Sequence, residues 1–223
     1  GLTGLVRRYA LSRAVIDTPN ERSLHAVPTP RGGGLALALV VLAVHAYVVA
    51  QGLLPFANGV AWGAAAGALA ALGWIDDHRP LGSALRLAVQ ALVLGAALVV
   101  MSGPAGLSTP AAMAVIACGI AGLVWFVNLY NFMDGSDGLA GCQAVLSALL
   151  LAILAAGAGH RGMACVALAL AGASAGFLRW NLPPARIFLG DVGSYFIGGY
   201  LGLYAWHLLT RGESLWPAAA TSA

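Results

Sequence analysis

Lysine is absent from this chain: all eleven of its basic residues are arginine. A Walker-type phosphate loop, which depends on its lysine, is thereby excluded. Charge of either sign is scarce, at 9% of 223 residues, while 60% are hydrophobic and the mean hydropathy is +0.86. So much apolar surface does not fit a water-soluble core of ordinary proportions, and the chain belongs in a bilayer. Cysteine is rare too. Cys118, Cys142 and Cys165 fall in apolar or small-residue stretches at no metal-ligand spacing, so they read as small buried packing residues, with no disulfide framework and no zinc cluster. No serine nucleophile elbow is present. The net charge of +3 comes without a basic patch interleaved with aromatics, which argues against nucleic acid as a partner.

What is abundant is long apolar runs. A spanning helix needs about 20 largely apolar residues, with about 17 tolerated, and on that rule spans lie near 34–50, 57–75, 87–107, 111–130, 138–158, 162–179 and 192–209. Residues 1–12, interrupted by Arg7 and Arg8, read either as the end of an earlier span or as an interfacial helix. With Gly as first residue, the expectation is a single integral-membrane domain over 1–223 that lacks its natural start. The predicted fold is an all-α polytopic bundle of seven to eight spans.

If successive spans alternate, loops 13–33, 76–86, 131–137 and 180–191 share one side. Nine arginines fall on or beside it, against Arg161 and Arg211 opposite, so the positive-inside rule makes that side cytoplasmic. Seven of the eight acids share it: Asp17, Glu21, Asp76, Asp77, Asp134, Asp137 and Asp191. Acids contribute little to orientation, and carboxylates gathered at membrane ends from four loops read as a functional site.

Four segments carry the chemistry. The first runs Asp17-Thr18-Pro19-Asn20-Glu21-Arg22 to Pro28-Thr29-Pro30-Arg31-Gly32-Gly33-Gly34. Its irregular backbone suits either free N–H groups and two arginines beside an anion, or a solvated topogenic loop ahead of a helix. The second is Asp76-Asp77 at a span's carboxyl end, where both charges oppose the helix dipole and call for a cation or arginines. Arg86, nine residues on, either reaches a phosphate or snorkels to the interface. The third is Asn128-Leu129-Tyr130-Asn131-Phe132-Met133-Asp134-Gly135-Ser136-Asp137-Gly138. Helical spacing is expected to set Asn128, Asn131 and Asp134 along one face as oxygen ligands for a hard cation. The fourth is Phe188-Leu189-Gly190-Asp191-Val192-Gly193-Ser194, whose acid either holds a cation or caps the helix. Together they describe a Mg²⁺ and phosphate site, since Mg²⁺ takes one or two carboxylates and completes its shell with water and substrate oxygens. The reading from another class is a membrane carrier, but its acids would lie near the midplane and its spans would repeat in inverted order.

These four motifs, in this order and spacing, resemble the polyprenyl-phosphate N-acetylhexosamine 1-phosphate transferases, also called glycosyltransferase family 4. The Asn-Phe-Met-Asp-Gly wording is similar to the branch that initiates O-antigen and related surface polysaccharides, and the muramoyl-pentapeptide branch is the alternative. The resemblance implies undecaprenyl phosphate as acceptor and a UDP-N-acetylhexosamine such as UDP-GlcNAc as donor. It implies Mg²⁺, with Mn²⁺ as a substitute, held by Asp191 and Asn131 on the donor pyrophosphate. Asp134 and Asp137 would lie beside the nucleotide, with Asn128, Asn20 and Arg31 as further substrate contacts. Asp76 and Asp77 would act on the acceptor phosphate, with Arg86 standing where relatives carry a lysine. It further implies a bacterial inner-membrane protein with a cytoplasmic site, often paired as a homodimer. Relatives continue through about two more spans and a His- and Arg-rich loop that grips the donor, so an inactive scaffold is the expectation if that loop is indispensable.

Overall fold

The computed structural model describes residues 1–17 and 27–211, and Asn20, Glu21 and Arg22 lie outside them. Among the described residues eight α-helices follow one another: α1 (Leu2–Ser12), α2 (Gly34–Ala50), α3 (Phe56–His78), α4 (Ser83–Ser102), α5 (Pro110–Met133), α6 (Leu139–Gly157), α7 (Arg161–Asn181) and α8 (Gly190–Arg211). The all-α expectation is met. One minor addition is a two-residue antiparallel pair, β1 (Ile16–Asp17) with β2 (Thr29–Pro30), in which Asp17 stands opposite Thr29.

Helices α3 to α7 are each long and apolar enough to cross a membrane, while α2 is shorter at 17 residues. Their ends follow local chemistry. The segment expected at 87–107 instead forms a helix over Ser83–Ser102, because Gly103 takes a positive φ of 62° and Pro104 opens a short 3₁₀ turn. Thr109 then caps α5, its hydroxyl accepting from the Ala112 N–H at 3.1 Å, with Pro110 in the first turn. In the other direction α5 runs past 130, carrying Asn131 into its last turn.

The axis of the bundle is α8. Tyr195, Phe196, Tyr200 and Tyr204 are all fully or almost fully buried, and α3, α5, α2 and α4 pack around them. Small residues admit this close approach, as in membrane bundles generally. A Cβ on Gly34 would meet the backbone of Gly193, and one on Gly73 would run into the Asp191 carbonyl. Deep in the bundle His45 is satisfied on both nitrogens: Nε2 donates to the Gly59 carbonyl and Nδ1 pairs with the Tyr200 hydroxyl, each at 2.8 Å. The cysteines depart from the expectation of buried packing. Cys118 and Cys165 are exposed, which for an apolar helix face means contact with lipid, an environment a thiol tolerates as a small hydrophobe.

Because α2, α4, α6 and α8 begin where α3, α5 and α7 end, the four motif segments meet at one end of the bundle. Close packing at Gly73 fixes that meeting. Gly73→Ala is expected to destabilise the protein by about 1–3 kcal/mol, seen as a lower unfolding temperature in detergent. Gly122→Ala, whose Cβ meets nothing within 4 Å, is expected to leave it unchanged.

Candidate active site

The first turn of α8 organises this end. Its N–H groups have no partners within the helix and are taken up by carboxylates from α3 and from the residue that follows α5. Asp191 N–H and Val192 N–H donate to the two oxygens of Asp77, each at 3.1 Å, and Gly190 N–H donates to Asp134 at 3.2 Å. Asp191 is therefore not the cap of its own helix. The negative charges closing α3 lie against the positive end of α8, which offsets the adverse dipole of α3.

The Asp76-Asp77 pair does not share one partner. Its two buried side chains diverge. Asp77 faces α8 and Arg31, whose Nη2 donates to the Asp77 carbonyl at 3.1 Å and whose Nε stands 3.7 Å from Oδ1. Asp76 accepts from the Leu81 N–H at 2.7 Å, the Tyr195 hydroxyl at 2.9 Å and Arg86 Nη1 at 3.1 Å. Two arginines thus supply the countercharge that the sequence called for, one to each acid.

Two N–H groups of the glycine run are not free for an anion, one of the two roles the sequence left open to this loop. Gly33 and Gly34 N–H groups are spent on the carbonyls of Phe188 and Leu189, both at 2.9 Å, and Phe188 N–H returns to Pro30 at 2.8 Å. This stitches the first motif to the fourth. Gly190, at φ +77°, lies so close to Gly32 N and the Asp77 carboxylate that a side chain there has no room.

Asn128, Asn131 and Asp134 also fail to share one face. Three helical residues advance 300°, so each step falls 60° short of a full turn and two steps sweep 120°. Asn128 accordingly turns to α4, donating to Gln90 Oε1 at 2.7 Å, whereas Asn131 accepts from the Ser194 hydroxyl at 2.9 Å and Asp134 reaches Gly190. Asp137 accepts from Ala185 N–H at 3.0 Å, and Asn181 accepts from Gly138 N–H at 3.0 Å, tying the α7–α8 loop to the start of α6.

What results is a polar cleft of about 180 Å³ lined by Asp17, Arg31, Asp77, Asn131, Asp134, Gly135, Phe188, Gly190 and Asp191. Among the described residues, four carboxylates and one guanidinium line it. Arg31, Asp77, Asn131, Asp134 and Asp191 are brought together; Asp76, Arg86, Asn128 and Asp137 are engaged beside it. Asp17 was not singled out as a site residue, and the β1–β2 pairing that delivers it has no signal in so short a segment. Ser194 and Tyr195 were missed as well, although they follow Asp191 at i+3 and i+4. Oxygen donors alone, Asp77, Asn131, Asp134 and Asp191, suit a hard cation. Among the described residues no three His, Cys, Asp or Glu side chains gather to cage a metal unaided, so other oxygens have to complete any shell.

Residues 59–208 match the sequence profile of glycosyl transferase family 4. The chain belongs to that family. It is 33% identical over 223 residues to the decaprenyl-phosphate N-acetylglucosaminephosphotransferase of Mycolicibacterium smegmatis, covering 90% of this chain and 55% of that protein. To the probable undecaprenyl-phosphate N-acetylglucosaminyl 1-phosphate transferase of Bacillus subtilis it is 30% identical, covering 91% and 60% respectively. The phospho-N-acetylmuramoyl-pentapeptide-transferase of Moorella thermoacetica is 31% identical, with 95% of this chain and 71% of that protein aligned. The chain thus spans little more than half the length of the first of these glycosyl transferase family 4 relatives. Family and helices together make it a multi-pass membrane protein.

Burial first, then the neighbouring charges of Asp77 and Asp191, hold the Asp134 carboxyl well above the usual carboxylate range. A raised acid binds its proton more tightly folded than unfolded. Its ionisation is therefore a handicap to stability that is absent below the unfolded pKa and complete above the folded one. In chelator-treated protein, Asp134→Asn is expected to raise the melting temperature relative to wild type at pH 8 and to leave it unchanged below about pH 4. An equal difference at both pH values would trace the effect to something other than charge. Asp77→Ala removes the acceptor of two α8 N–H groups and is expected to lower stability by about 1–2 kcal/mol, as loss of a helix cap does, measured by thermal unfolding.

Proposed function

We propose that this protein transfers an N-acetylhexosamine 1-phosphate from a UDP-activated amino sugar to undecaprenyl phosphate. The products are the lipid diphosphate sugar and UMP, the first step of a surface polysaccharide or cell-wall glycan. The observation that carries this reading is the cleft itself: Asp77, Asn131, Asp134, Asp191 and Arg31 converge at one end of a membrane bundle, on motif positions of a family whose relatives bear polyprenyl-phosphate transferase names. The arginine bias supports a cytoplasmic face for that end, and the family relatives support a bacterial inner membrane.

Asp191 and Asn131 would hold Mg²⁺, or Mn²⁺ in its place, with Asp77 and Asp134 alongside. Bound there, the ion would neutralise the donor pyrophosphate. Arg31 completes the anion side of the cleft, and Asp137 holds the α7–α8 loop as its rim. One phosphoanhydride replaces another, so catalysis rests on positioning and charge neutralisation. The acceptor phosphate attacks the β-phosphorus directly. As a monoester with a second pKa near 6 it is already largely dianionic at neutral pH, and general-base help adds little. Asp76, already accepting from Leu81, Tyr195 and Arg86, serves better to hold Arg86 than to take a proton.

The muramoyl-pentapeptide reading differs in donor only and is favoured by the alignment to the Moorella relative. A single assay separates the two. Full-length protein in membranes is given a panel of UDP-amino-sugars, including the UDP-muramoyl-pentapeptide, with and without undecaprenyl phosphate and Mg²⁺. UMP release is expected to need acceptor and Mg²⁺, to select one donor, and to fall at least about a hundredfold in Asp191→Asn. Folded protein that releases no acceptor-dependent UMP from any donor would sink the enzyme reading.

A further inference from the structure

Tyr195 lies outside the cleft, yet it is built into the same polar assembly. Its ring is fully buried on α8. The hydroxyl donates to Asp76 Oδ2 at 2.9 Å and accepts from Arg86 Nη1 at 3.2 Å, while the same Nη1 donates to Asp76 Oδ2 at 3.1 Å. Three side chains from α3, α4 and α8 therefore close a ring of hydrogen bonds. Asp76 is 4% exposed, whereas the Arg86 side chain keeps 30% of its surface open. The ring thus has a buried back and an open cationic front. An arginine carries five donors, and among the described residues Nη1 alone is engaged, leaving the rest of a planar fork for an oxyanion. One turn before Tyr195 on the same helix, Asp191 opens onto the cleft.

We propose that Tyr195 is a positioning residue for the lipid acceptor. It fixes the Arg86 guanidinium against Asp76, so that the open edge of Arg86 meets the polyprenyl phosphate at a set distance from the groups on the first turn of α8. The inference rests on the transferase reading for the identity of the phosphate, but its geometry stands apart from it. A tyrosine is required because one atom must both donate to a carboxylate and accept from a guanidinium. Phenylalanine keeps the packing and loses both bonds. Without the phenol, Arg86 retains its carboxylate partner but loses its second anchor, so the guanidinium samples more orientations and grips a phosphate less well.

The test compares wild type, Tyr195→Phe and Tyr200→Phe as full-length proteins in membranes. Tyr200 is the control, a buried tyrosine of the same helix whose hydroxyl serves His45 instead. Two quantities are read: KM for undecaprenyl phosphate and for the UDP-sugar from UMP release, and binding of undecaprenyl phosphate alone from the shift in melting temperature. Expected for Tyr195→Phe is about a tenfold rise in acceptor KM, equivalent to about 1.4 kcal/mol, with donor KM within about twofold and the acceptor-induced melting shift reduced. Tyr200→Phe is expected to leave acceptor KM unchanged. If both KM values hold in Tyr195→Phe, or if they rise together with a fall in the ligand-free melting temperature, the positioning role is overturned while the transferase stands. If wild type releases no UMP yet loses acceptor binding on Tyr195→Phe, the transferase reading falls and the anchor remains. Wild type that binds no undecaprenyl phosphate overturns both.

Discussion

The site depends on how the amino end of α8 is satisfied by groups from the helices packed around it. Helix starts leave N–H groups that demand acceptors, and here the acceptors are carboxylates belonging to α3 and to the turn after α5. This single exchange places Asp77 and Asp134 within reach of Asp191, and it joins the chain's second, third and fourth motifs. The first motif is joined by backbone alone, through the pairing of Gly33 and Gly34 with Phe188 and Leu189. Acids that would repel one another in isolation are held together by amide dipoles, with Arg31 and Arg86 divided between them.

That arrangement explains why a functional cleft coexists with a well-ordered bundle. Most of the carboxylates already have a structural partner, and the cleft is what remains where Asp77, Asp134, Asp191 and the Asn131 amide converge. Among the described residues negative charge is in excess around Arg31. Burial first, and then the neighbouring charges of Asp77 and Asp191, raise Asp134.

Much of this was legible in the sequence. Hydropathy and length placed the five helices long and apolar enough to cross a membrane, α3 to α7, to within five residues at each end, because in a bilayer backbone satisfaction forces apolar runs into helices. Of the other expected spans, 34–50 forms the 17-residue α2 and 192–209 lies within α8. The gathering of acids on one side followed from span alternation alone. What sequence spacing did not convey was direction. Asn128 and Asp134 look equivalent by threes, yet 120° separates them around α5. Asp76 and Asp77 read as one repulsive pair, yet adjacent helical positions point 100° apart and find separate partners. Gly33 and Gly34 left an anion cradle open as one of two readings, because their donors look free until the α7–α8 loop is folded back onto them. Tyr195 left no mark at all, since a tyrosine in an apolar helix reads as core until the groups on neighbouring helices are known.

The opening turn of α8 addresses three neighbours at once: Asp191 on the cleft, Ser194 on Asn131 of α5, and Tyr195 on Asp76 and Arg86. A one-residue insertion or deletion inside that turn would rotate everything beyond it by about 100° and withdraw all these contacts together. The length of this turn is therefore locked, and natural variation in the α7–α8 connection has to be absorbed upstream of Phe188, where the chain is not yet stitched to Pro30 and the glycine run.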